Sequence, residues 1–305
     1  MRRPTVLVAL IAVAALSVAV KAVQEPATQK PKVIEVQKLR ENLFVLTGGG
    51  GNTAVFITAD GVVVVDTKLP DWGAPLLARI RELTPKPVTT IINTHTHFDH
   101  VSGNVEFPAN VEVVAHRNTA ALMKEMRTVT GFPPQEGNIF TEHKGRGLPT
   151  RTFTDTLTLG KGADQVDLRY FGPGHTSGDA WVVFPSLRVA HAGDIFPGKN
   201  LPILDANNGG SGAAIGDTLA KAAAGLKDVE AIITGHSTTM SVAELQEYAE
   251  FNEAFLSAVQ DGKKAGRSAD EIASSWKTPA KYTGYRDTPV ERVRTNVNVV
   301  LGELE

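Results

Sequence analysis

The sequence predicts an α/β protein in which two β-sheets pack together as a sandwich with helices outside. Short apolar runs rich in β-branched residues alternate with helical stretches along most of the chain. One plan also occurs twice, as a strand, a turn and a strand that ends in aspartate, over residues 53–66 and 181–194. Each copy is followed by a helix and by a strand that ends at a histidine, His95 or His236. Two such halves would bury their sheets against each other.

The elements of the first half follow from apolar runs and the turn residues between them. Residues 59–61, Ala-Asp-Gly, form a hairpin turn because an Asp-Gly pair tolerates positive φ. A helix begins near residue 74 and ends before Pro85 and Pro87, which cannot continue it. We predict strands over 33–36, 43–46, 53–58, 62–65, 88–93 and 111–115, and helices over 74–83 and 118–126.

A loop rich in glycine and proline, residues 130–150, separates the two halves. It forms either a mobile flap over a site or a plain connection, and the sequence leaves both readings open. Strand-like runs return after it, and Pro185 and Ser186 fill the turn between two of them. We predict strands over 153–159, 166–170, 181–184, 188–190 and 231–234, and helices over 213–226, 242–259, 269–276 and 288–301.

The N-terminal residues 1–22 have the pattern of a secretory signal. Arg2 and Arg3 precede an apolar run over 6–20, and Val20-Lys21-Ala22 has small or modest residues where a signal peptidase reads. The run is shorter than the ~20 apolar residues of a spanning helix, so cleavage is favoured over an uncleaved anchor. We therefore expect residues 23–305 to form a single domain, which is periplasmic or secreted and has no stable membrane span.

Composition limits both the metal ligands and the partners. The 305 residues include no cysteine, so an exported form has no disulfide bonds, and metal ligands must be imidazoles and carboxylates. Such ligands suit zinc, iron or manganese. Without Arg2, Arg3 and Lys21, the 31 basic residues fall to 28 against 33 acidic ones, a net charge of −5. No long basic run remains, so we expect a small-molecule substrate and no nucleic-acid partner. The oligomeric state stays open.

The segment HTHFDH, residues 95–100, carries the strongest chemical signal. His95 and His97 are alternate residues of an extended segment, and their side chains point to the same side. Asp99 and His100 follow past a bend and can reach a second position. Four ligand-type residues among six predict a metal site, against the alternative of a polar turn with surface histidines.

Three further segments offer ligands where a predicted strand gives way to a loop. The first is GPGHTSG, residues 172–178, in which the glycines free the backbone to bring His175 inward. The others are Ala-Gly-Asp, which ends in Asp194, and Thr-Gly-His-Ser, which contains His236. Each alone would indicate a structural residue. Because sheet proteins gather site residues at strand ends, the three together with residues 95–100 predict one shared site.

In this order, HTHFDH, PGHTSGD, HAGD and TGH resemble the metallo-β-lactamase superfamily over about residues 35–260. The resemblance implies a four-layer αββα sandwich and two divalent metal ions, with zinc expected. It implies that Asp194 bridges the two metals and that Asp66 supports the histidine loop. It assigns the remaining ligands as His95, His97 and His175 for the first metal and Asp99, His100 and His236 for the second.

The resemblance also implies a reaction. Two divalent cations about 3.5–4 Å apart share a water and lower its pKa to about 7. We expect an exported dinuclear hydrolase in which the resulting metal-bound hydroxide attacks a carbonyl of a lactone, ester or β-lactam-type substrate. Asp99 would be the catalytic residue that orients the nucleophile and carries its proton.

Alternative functions remain for the same fold. A β-lactamase proper is one, but family members with an Asp, His and His set for the second metal lack a bridging aspartate. With a bridging Asp194, the chain resembles instead the thioester hydrolases and lactonases. Hydrolysis of a cytosolic thioester fits poorly with export. A mono-iron dioxygenase of sulfur compounds would leave Asp99, His100 and His236 without a second metal. A non-catalytic metal-binding protein is the last alternative.

The remaining candidates have weaker signals. His116 is expected to be a structural or capping residue, His143 an exposed loop residue, and His191 a strand residue or a support for the metal ligands. The glycines of residues 48–51 form either a flexible flap or an ordinary loop. Candidates for the cleft lining, each against a surface or core alternative, are Phe196, Lys199, Asn200 and Trp72.

Overall fold

The computed structural model describes residues 32–134 and 136–305, and two mixed β-sheets organise this part of the chain. The predicted signal, residues 1–22, lies outside the described residues. Within them, no helix has the length and apolar character needed to cross a membrane.

The elements largely follow the apolar runs of the sequence. The strands are β1 Glu35–Arg40, β2 Leu43–Thr47, β3 Thr53–Ile57, β4 Val62–Val65, β5 Val88–Asn93, β6 Glu112–His116, β7 Arg151–Phe153, β8 Thr156–Leu159, β9 Val166–Tyr170, β10 Ala180–Phe184, β11 Val189–Gly193 and β12 Ala231–Thr234. The α-helices are α1 Gly73–Leu83, α2 Phe98–Val101, α3 Arg117–Glu125, α4 Ile139–Glu142, α5 Ile215–Gly225, α6 Val242–Lys264, α7 Ala269–Ser275 and α8 Val290–Glu303.

The first sheet has seven strands in chain order, β1 to β7, and the second has five in the order β12-β11-β10-β9-β8. Strands β3 and β4 are an antiparallel pair, and β5 lies parallel to β4. Strands β10 and β11 are likewise antiparallel, and β12 lies parallel to β11. The twofold plan predicted from the sequence is therefore confirmed in the strand pairing.

The core confirms the four-layer arrangement. On β4, Val63 and Val65 pack between the sheets, where they meet residues of the second sheet such as Val182. Val62 and Val64 point the other way and pack against α1. This alternation is the period of two that a strand imposes on its side chains. The outer face of the second sheet is covered by the helices α5, α6, α7 and α8.

Two predictions on strands were wrong. Residues 153–159 were predicted as one strand, but they form parts of two strands in different sheets: β7 pairs with β6, and β8 pairs with β9. The chain crosses between the sheets at Thr154, whose carbonyl accepts a hydrogen bond from His116. Apolar and threonine residues alternate on both sides of this point, so the sequence pattern does not mark the crossing. Strand β1 begins two residues later than predicted and continues to Arg40, because an edge strand tolerates polar residues.

The pairing also positions the predicted site. Because β4 and β5 are parallel, Asp66 and the segment that starts at His95 leave the first sheet at the same edge. Because β11 and β12 are parallel, Asp194 and His236 leave the second sheet together. Carboxyl ends of parallel strands are the usual position of binding sites in open α/β sheets.

Candidate metal centre

The seven predicted ligands converge in one place. His95, His97, His175 and Asp194 offer atoms within 4.8 Å of one another, and Asp99, His100 and His236 form an adjoining group. Every one of these side chains except those of Asp99 and His236 is buried. The structure therefore brings all seven candidates together in a single cluster, as the sequence predicted.

Two successive hydrogen bonds connect Asp66 to the outer nitrogen of His95, the ring nitrogen that faces away from the cluster. The hydroxyl of Thr94 donates to Asp66 Oδ2 at 2.7 Å, and Thr94 Oγ1 lies 3.0 Å from His95 Nδ1. Since that hydroxyl has already given its only proton to a carboxylate, it accepts from His95 Nδ1–H. The lone pair of His95 is then on Nε2, which is buried and has no hydrogen-bond partner among the described residues.

Three further rings have their outer nitrogens fixed in the same way. His100 Nδ1 lies 2.7 Å from Asp66 Oδ2, and His97 Nε2 lies 2.7 Å from Asp205 Oδ2. His175 Nδ1 donates to the carbonyl of Ile203 at 2.7 Å. Each acceptor takes the ring proton on the outer side, so the inner nitrogen of each neutral ring presents a lone pair.

The inner atoms lie at spacings that call for a cation between them. His97 Nδ1 and His175 Nε2 are 3.0 Å apart, and His100 Nε2 and His236 Nε2 are 3.3 Å apart. Two lone pairs at such a distance repel each other unless a positive charge separates them. Zinc with Zn–N bonds of about 2.0–2.1 Å in a tetrahedron holds neighbouring donors about 3.3 Å apart. The donor set fits such an ion.

The carboxylate of Asp194 lies between the two groups. Its Oδ1 is 3.2 Å from His100 Nε2, and its Oδ2 is 3.1 Å from His236 Nε2 and 3.9 Å from His175 Nε2. Asp99 Oδ2 lies 3.3 Å from His236 Nε2. Asp194 Oδ1 is buried without a hydrogen bond from the described residues. A carboxylate in this position can contact an ion held by either group.

The charges around the rings differ between the two groups. Burial and the neighbouring His97 imidazole lower the pKa of His175 to about 4, so the ring is neutral at pH 7, as a ligand must be. Burial would also lower the pKa of His236, but Asp194 and Asp99 outweigh it and raise this pKa to about 9. Two carboxylates around His236 thus favour a cation in the second group, be it a proton or a metal ion.

Asp66 supports the site from outside it. Its Oδ1 accepts from the Thr94 amide at 2.8 Å, and its Oδ2 takes the Thr94 and His100 contacts described above. A third possible metal-binding group consists of Asp66, His95 and His100. Because the oxygens of Asp66 are already engaged by these donors, this residue positions the ligands. This is the supporting role that the resemblance assigned to it.

The glycine loop, residues 48–51, is tied to the site at several points. Gly51 N donates to Asp99 O at 3.1 Å, and Leu69 N donates to Gly49 O at 3.0 Å. The ammonium of the buried Lys68 donates to the carbonyls of Gly51 and Leu46, at 2.9 Å each. These contacts favour an ordered loop over the alternative of a flexible flap.

Three histidines lie outside the cluster. His116 caps α3 by accepting from Asn118 N, as expected. His143 is exposed, also as expected. His191 lies behind the ligands, where its Nε2 donates to Asn52 O at 3.1 Å and its Nδ1 accepts from Gly193 N at 3.0 Å. It therefore fixes the backbone next to Asp194 and reaches no metal-facing atom.

A cleft of about 1130 Å³ opens above the cluster. Lys199 and Asn200 line it, as considered from the sequence. Phe196 does not, because it is fully buried and packs on Tyr248 in the core, so that candidate was wrong. Trp72 also lies away from the cleft, half-buried in the core near α1. Of the loop 130–150, Gly131 and Phe132 line the cleft, while the buried Phe140 belongs to a core cluster beneath the loop.

Sequence reasoning missed three residues that orient the ligands. Thr94 and Ile203 act through a hydroxyl and a backbone carbonyl, which no motif records. Asp205 lies 108 residues from His97 in sequence, within an irregular segment, and nothing in its spacing points to that ring. Its other oxygen accepts from Thr130 N and Thr130 Oγ1, so it also fixes the start of the loop at the cleft.

The comparison with known families supplies the deciding observation. Residues 46–236 match the model of the metallo-beta-lactamase superfamily. The chain belongs to this superfamily. The matched residues hold all seven side chains of the cluster.

Curated relatives in the metallo-beta-lactamase superfamily have different activities. The 2,4-dinitroanisole O-demethylase subunit alpha of Nocardioides sp. is 28% identical over 55% of this chain and 48% of its own length. The hydroxyacylglutathione hydrolase of Trichodesmium erythraeum is 28% identical over 52% and 49%. The metallo-beta-lactamase type 2 of Elizabethkingia meningoseptica is 24% identical over 55% and 64%. The chain spans about half the length of the first two relatives.

Solved structures of the superfamily share the fold. A metallo-beta-lactamase from Pontibacter korlensis superposes with a TM-score of 0.60 at 19% identity, over 72% of this chain and 99% of its own. The DIM-1 metallo-beta-lactamase gives 0.58 at 18% identity, over 72% and 97%. At these identities the likeness establishes the αββα sandwich alone.

Proposed function

We propose that this chain is an exported, dinuclear zinc hydrolase that cleaves a lactone, ester or β-lactam-type substrate at its carbonyl. One observation carries the proposal. Four imidazoles have their outer nitrogens engaged by fixed partners, so their inner lone pairs converge with Asp99, Asp194 and His236 at the floor of an open cleft.

The ligands divide between two positions. His95, His97 and His175 would hold the first ion, and Asp99, His100 and His236 the second. Asp194 would contact both, because its two oxygens face different rings. The absence of cysteine leaves nitrogen and oxygen donors only, which zinc accepts in tetrahedral sites. Support for two ions comes from the completeness of both donor groups.

When bound, two divalent cations polarise a carbonyl oxygen and provide an activated water at neutral pH. The side chains of the protein would transfer the proton and orient the imidazoles. Asp99 is partly exposed at the floor of the cleft, where its carboxylate can accept the proton of the attacking water and deliver it to the leaving oxygen or nitrogen. Asp66 and Asp205 keep the imidazoles in the orientation that binding needs.

The relatives and the sequence resemblance support a small substrate that carries a carbonyl. The relatives named above include an enzyme named for a thioester and one named for β-lactams, and both substrates undergo attack at an acyl carbon. Asp194 favours a lactone over a β-lactam, because the sequence resemblance links a bridging aspartate to thioester hydrolases and lactonases. Export is proposed from residues 1–22, and recovery of the chain in the cytoplasm with these residues still attached would contradict it.

The test is elemental analysis of the purified protein together with hydrolysis of a chromogenic cephalosporin, a set of lactones and a set of aryl esters. We expect about two zinc ions per chain and turnover of at least one class. One iron per chain without hydrolysis would favour the mono-iron dioxygenase instead. Failure to bind any metal would overturn the assignment of the site.

A further inference from the structure

The cleft has a wall that the family match does not include. Residues 284–295, which lead into α8 and form its first turns, contribute several side chains to the cleft. They lie beyond residues 46–236, the part that matches the superfamily. The side chains of this wall therefore contribute to the choice of substrate independently of the metal-binding motifs.

Arg292 is the distinctive residue of this wall. It is half-buried, and its Cζ lies 4.6 Å from the centroid of the Phe132 ring, which also lines the cleft. Its Nη1 is buried and has no hydrogen-bond partner among the described residues. A buried charged donor without an acceptor is costly, whereas a charged acceptor that reaches it gains a strong hydrogen bond.

The other cations near the cleft are differently placed. Lys199 Nζ lies 3.4 Å from Glu244 Oε1 and 3.3 Å from Glu247 Oε1, so its charge is already compensated. Arg286 is exposed, and water screens its charge. Arg294, two residues further along α8, forms an ion pair with Asp270. Arg292 is thus a half-buried guanidinium of the cleft whose buried Nη1 has no acceptor in the described part of the chain.

Asp205 does not satisfy Arg292 either. Burial lowers the pKa of Arg292 and the carboxylate of Asp205 opposes this shift, but Asp205 provides no hydrogen bond to the buried Nη1 of Arg292. Asp205 already accepts from His97, from Thr130 and, at 2.6 Å, from Asn208 Nδ2. Arg292 therefore lines the cleft with its buried Nη1 available to a ligand.

We propose that the substrate carries an anionic oxygen group, a carboxylate or a phosphate, and that Arg292 binds it. The flat guanidinium matches either group with two parallel hydrogen bonds, and stacking on Phe132 fixes its plane. Phe132 is 41% exposed, so it also offers an apolar surface to the substrate beside the anion. This inference rests on the proposed hydrolase function and narrows it to amphiphilic, anionic carbonyl substrates.

The experiment compares matched esters on the zinc-loaded enzyme: the 4-nitrophenyl monoester of adipic acid, its uncharged counterpart 4-nitrophenyl hexanoate, and an equivalent ester that ends in phosphate. The variants are Arg292→Gln, Arg292→Lys and the control Arg294→Gln. We expect Arg292→Gln to lower kcat/KM for a charged ester by about 10–100-fold, mainly through KM, because a charged hydrogen bond is lost. The hexanoate should change less than about twofold, with partial rescue by lysine. The charged ester with the higher kcat/KM shows whether the site prefers a carboxylate or a phosphate.

A second measurement separates this inference from the proposed function. Calorimetric binding of adipate needs no turnover, and adipate should bind the wild type at least about tenfold more tightly than it binds Arg292→Gln. If no ester is hydrolysed while this difference persists, the hydrolase proposal fails and the anion site stands. Equal losses for charged and neutral esters, or a loss of zinc in Arg292→Gln, would mean that Arg292 only supports Asp205 and would overturn the inference.

Discussion

At the scale of single residues, the candidate site consists of rings whose outer atoms are fixed and whose inner atoms are free. Asp66 and Asp205 each engage one imidazole directly, at 2.7 Å, and Thr94 extends the reach of Asp66 to His95. Such partners hold ring orientation and tautomer, and their loss typically costs 10–100-fold in metal affinity or activity. Asp99 differs from them because no described donor outside the cluster holds it, so its carboxylate can serve the reaction.

Replacement of Asp99 by asparagine tests this difference. The amide keeps the shape and one oxygen donor of the side chain but cannot accept a proton as a carboxylate does. We expect turnover of an ester or lactone to fall about 10²–10⁴-fold, the usual contribution of a general base. Zinc content, measured by elemental analysis, should fall by less than half. Parallel losses of zinc and turnover would show that Asp99 is a ligand without a role in proton transfer.

At the scale of elements, the glycine loop, residues 48–51, links β2 and β3 to residues 95–100. Gly50 has φ of +114°, and a Cβ atom placed on it would lie 2.4 Å from the carbonyl oxygen of Asp99. The loop can approach the site this closely only because the side chain is missing. Lys68 secures the same loop from beneath through the Gly51 carbonyl. The position of Asp99 therefore depends on an element that carries no chemistry of its own.

The substitution Gly50→Ala should displace Asp99. Its added methyl group meets backbone, which cannot rotate away, and displacements of about 1 Å near a reacting group cost on the order of 10²-fold in rate. Gly162→Ala is the matched control, because Gly162 also has positive φ, +59°, but nothing lies within 4 Å of its added Cβ. Gly162→Ala should lose about 1–2 kcal/mol of stability by thermal unfolding, and Gly50→Ala should lose more because of the backbone contact. A fully active Gly50→Ala enzyme would show that the loop does not position Asp99.

At the scale of the whole molecule, two sheets bring distant segments to one edge at the cost of burying charge. Lys68 is fully buried, and burial lowers its pKa to about 7 although Asp66 and Asp99 oppose the shift. In the unfolded chain, a lysine has a pKa of about 10.4. Between these two values the unfolded state binds more protons than the native state. Stability from this group therefore rises as pH increases from about 7 to about 10.

Comparison of the wild type with Lys68→Met isolates this effect. From pH 7 to pH 9, the free energy of unfolding of the wild type should rise relative to that of the variant by about 1–3 kcal/mol in chemical unfolding. A difference of one bound proton between the unfolded and native states gives about 1.4 kcal/mol per pH unit. Lys124→Met is the control, because Lys124 is exposed and its replacement should give no such slope. A wild-type advantage that stays constant over this range would mean that Lys68 remains charged in the native state.

Local sequence patterns were enough to predict the layers of the fold and the seven side chains of the cluster. Period-two apolar runs and turn residues identify strands, and the order of HTHFDH, PGHTSGD, HAGD and TGH is specific enough to place each candidate at a strand end. These signals are local, because neighbouring residues decide the pattern. The division of residues 153–159 between two sheets was not local, and that prediction failed for this reason.

The surroundings of the cluster depend on contacts between residues that are far apart in the sequence. Asp205 reaches His97 across 108 residues, and Arg292 reaches the cleft from a helix near the end of the chain. Phe196 follows Asp194 closely yet turns into the core, while Phe132 turns out into the cleft. Which side chains meet across such separations depends on how sheets, helices and loops pack. Spacing along the chain therefore predicts the donor atoms of the cluster, and packing decides the surface that a substrate meets.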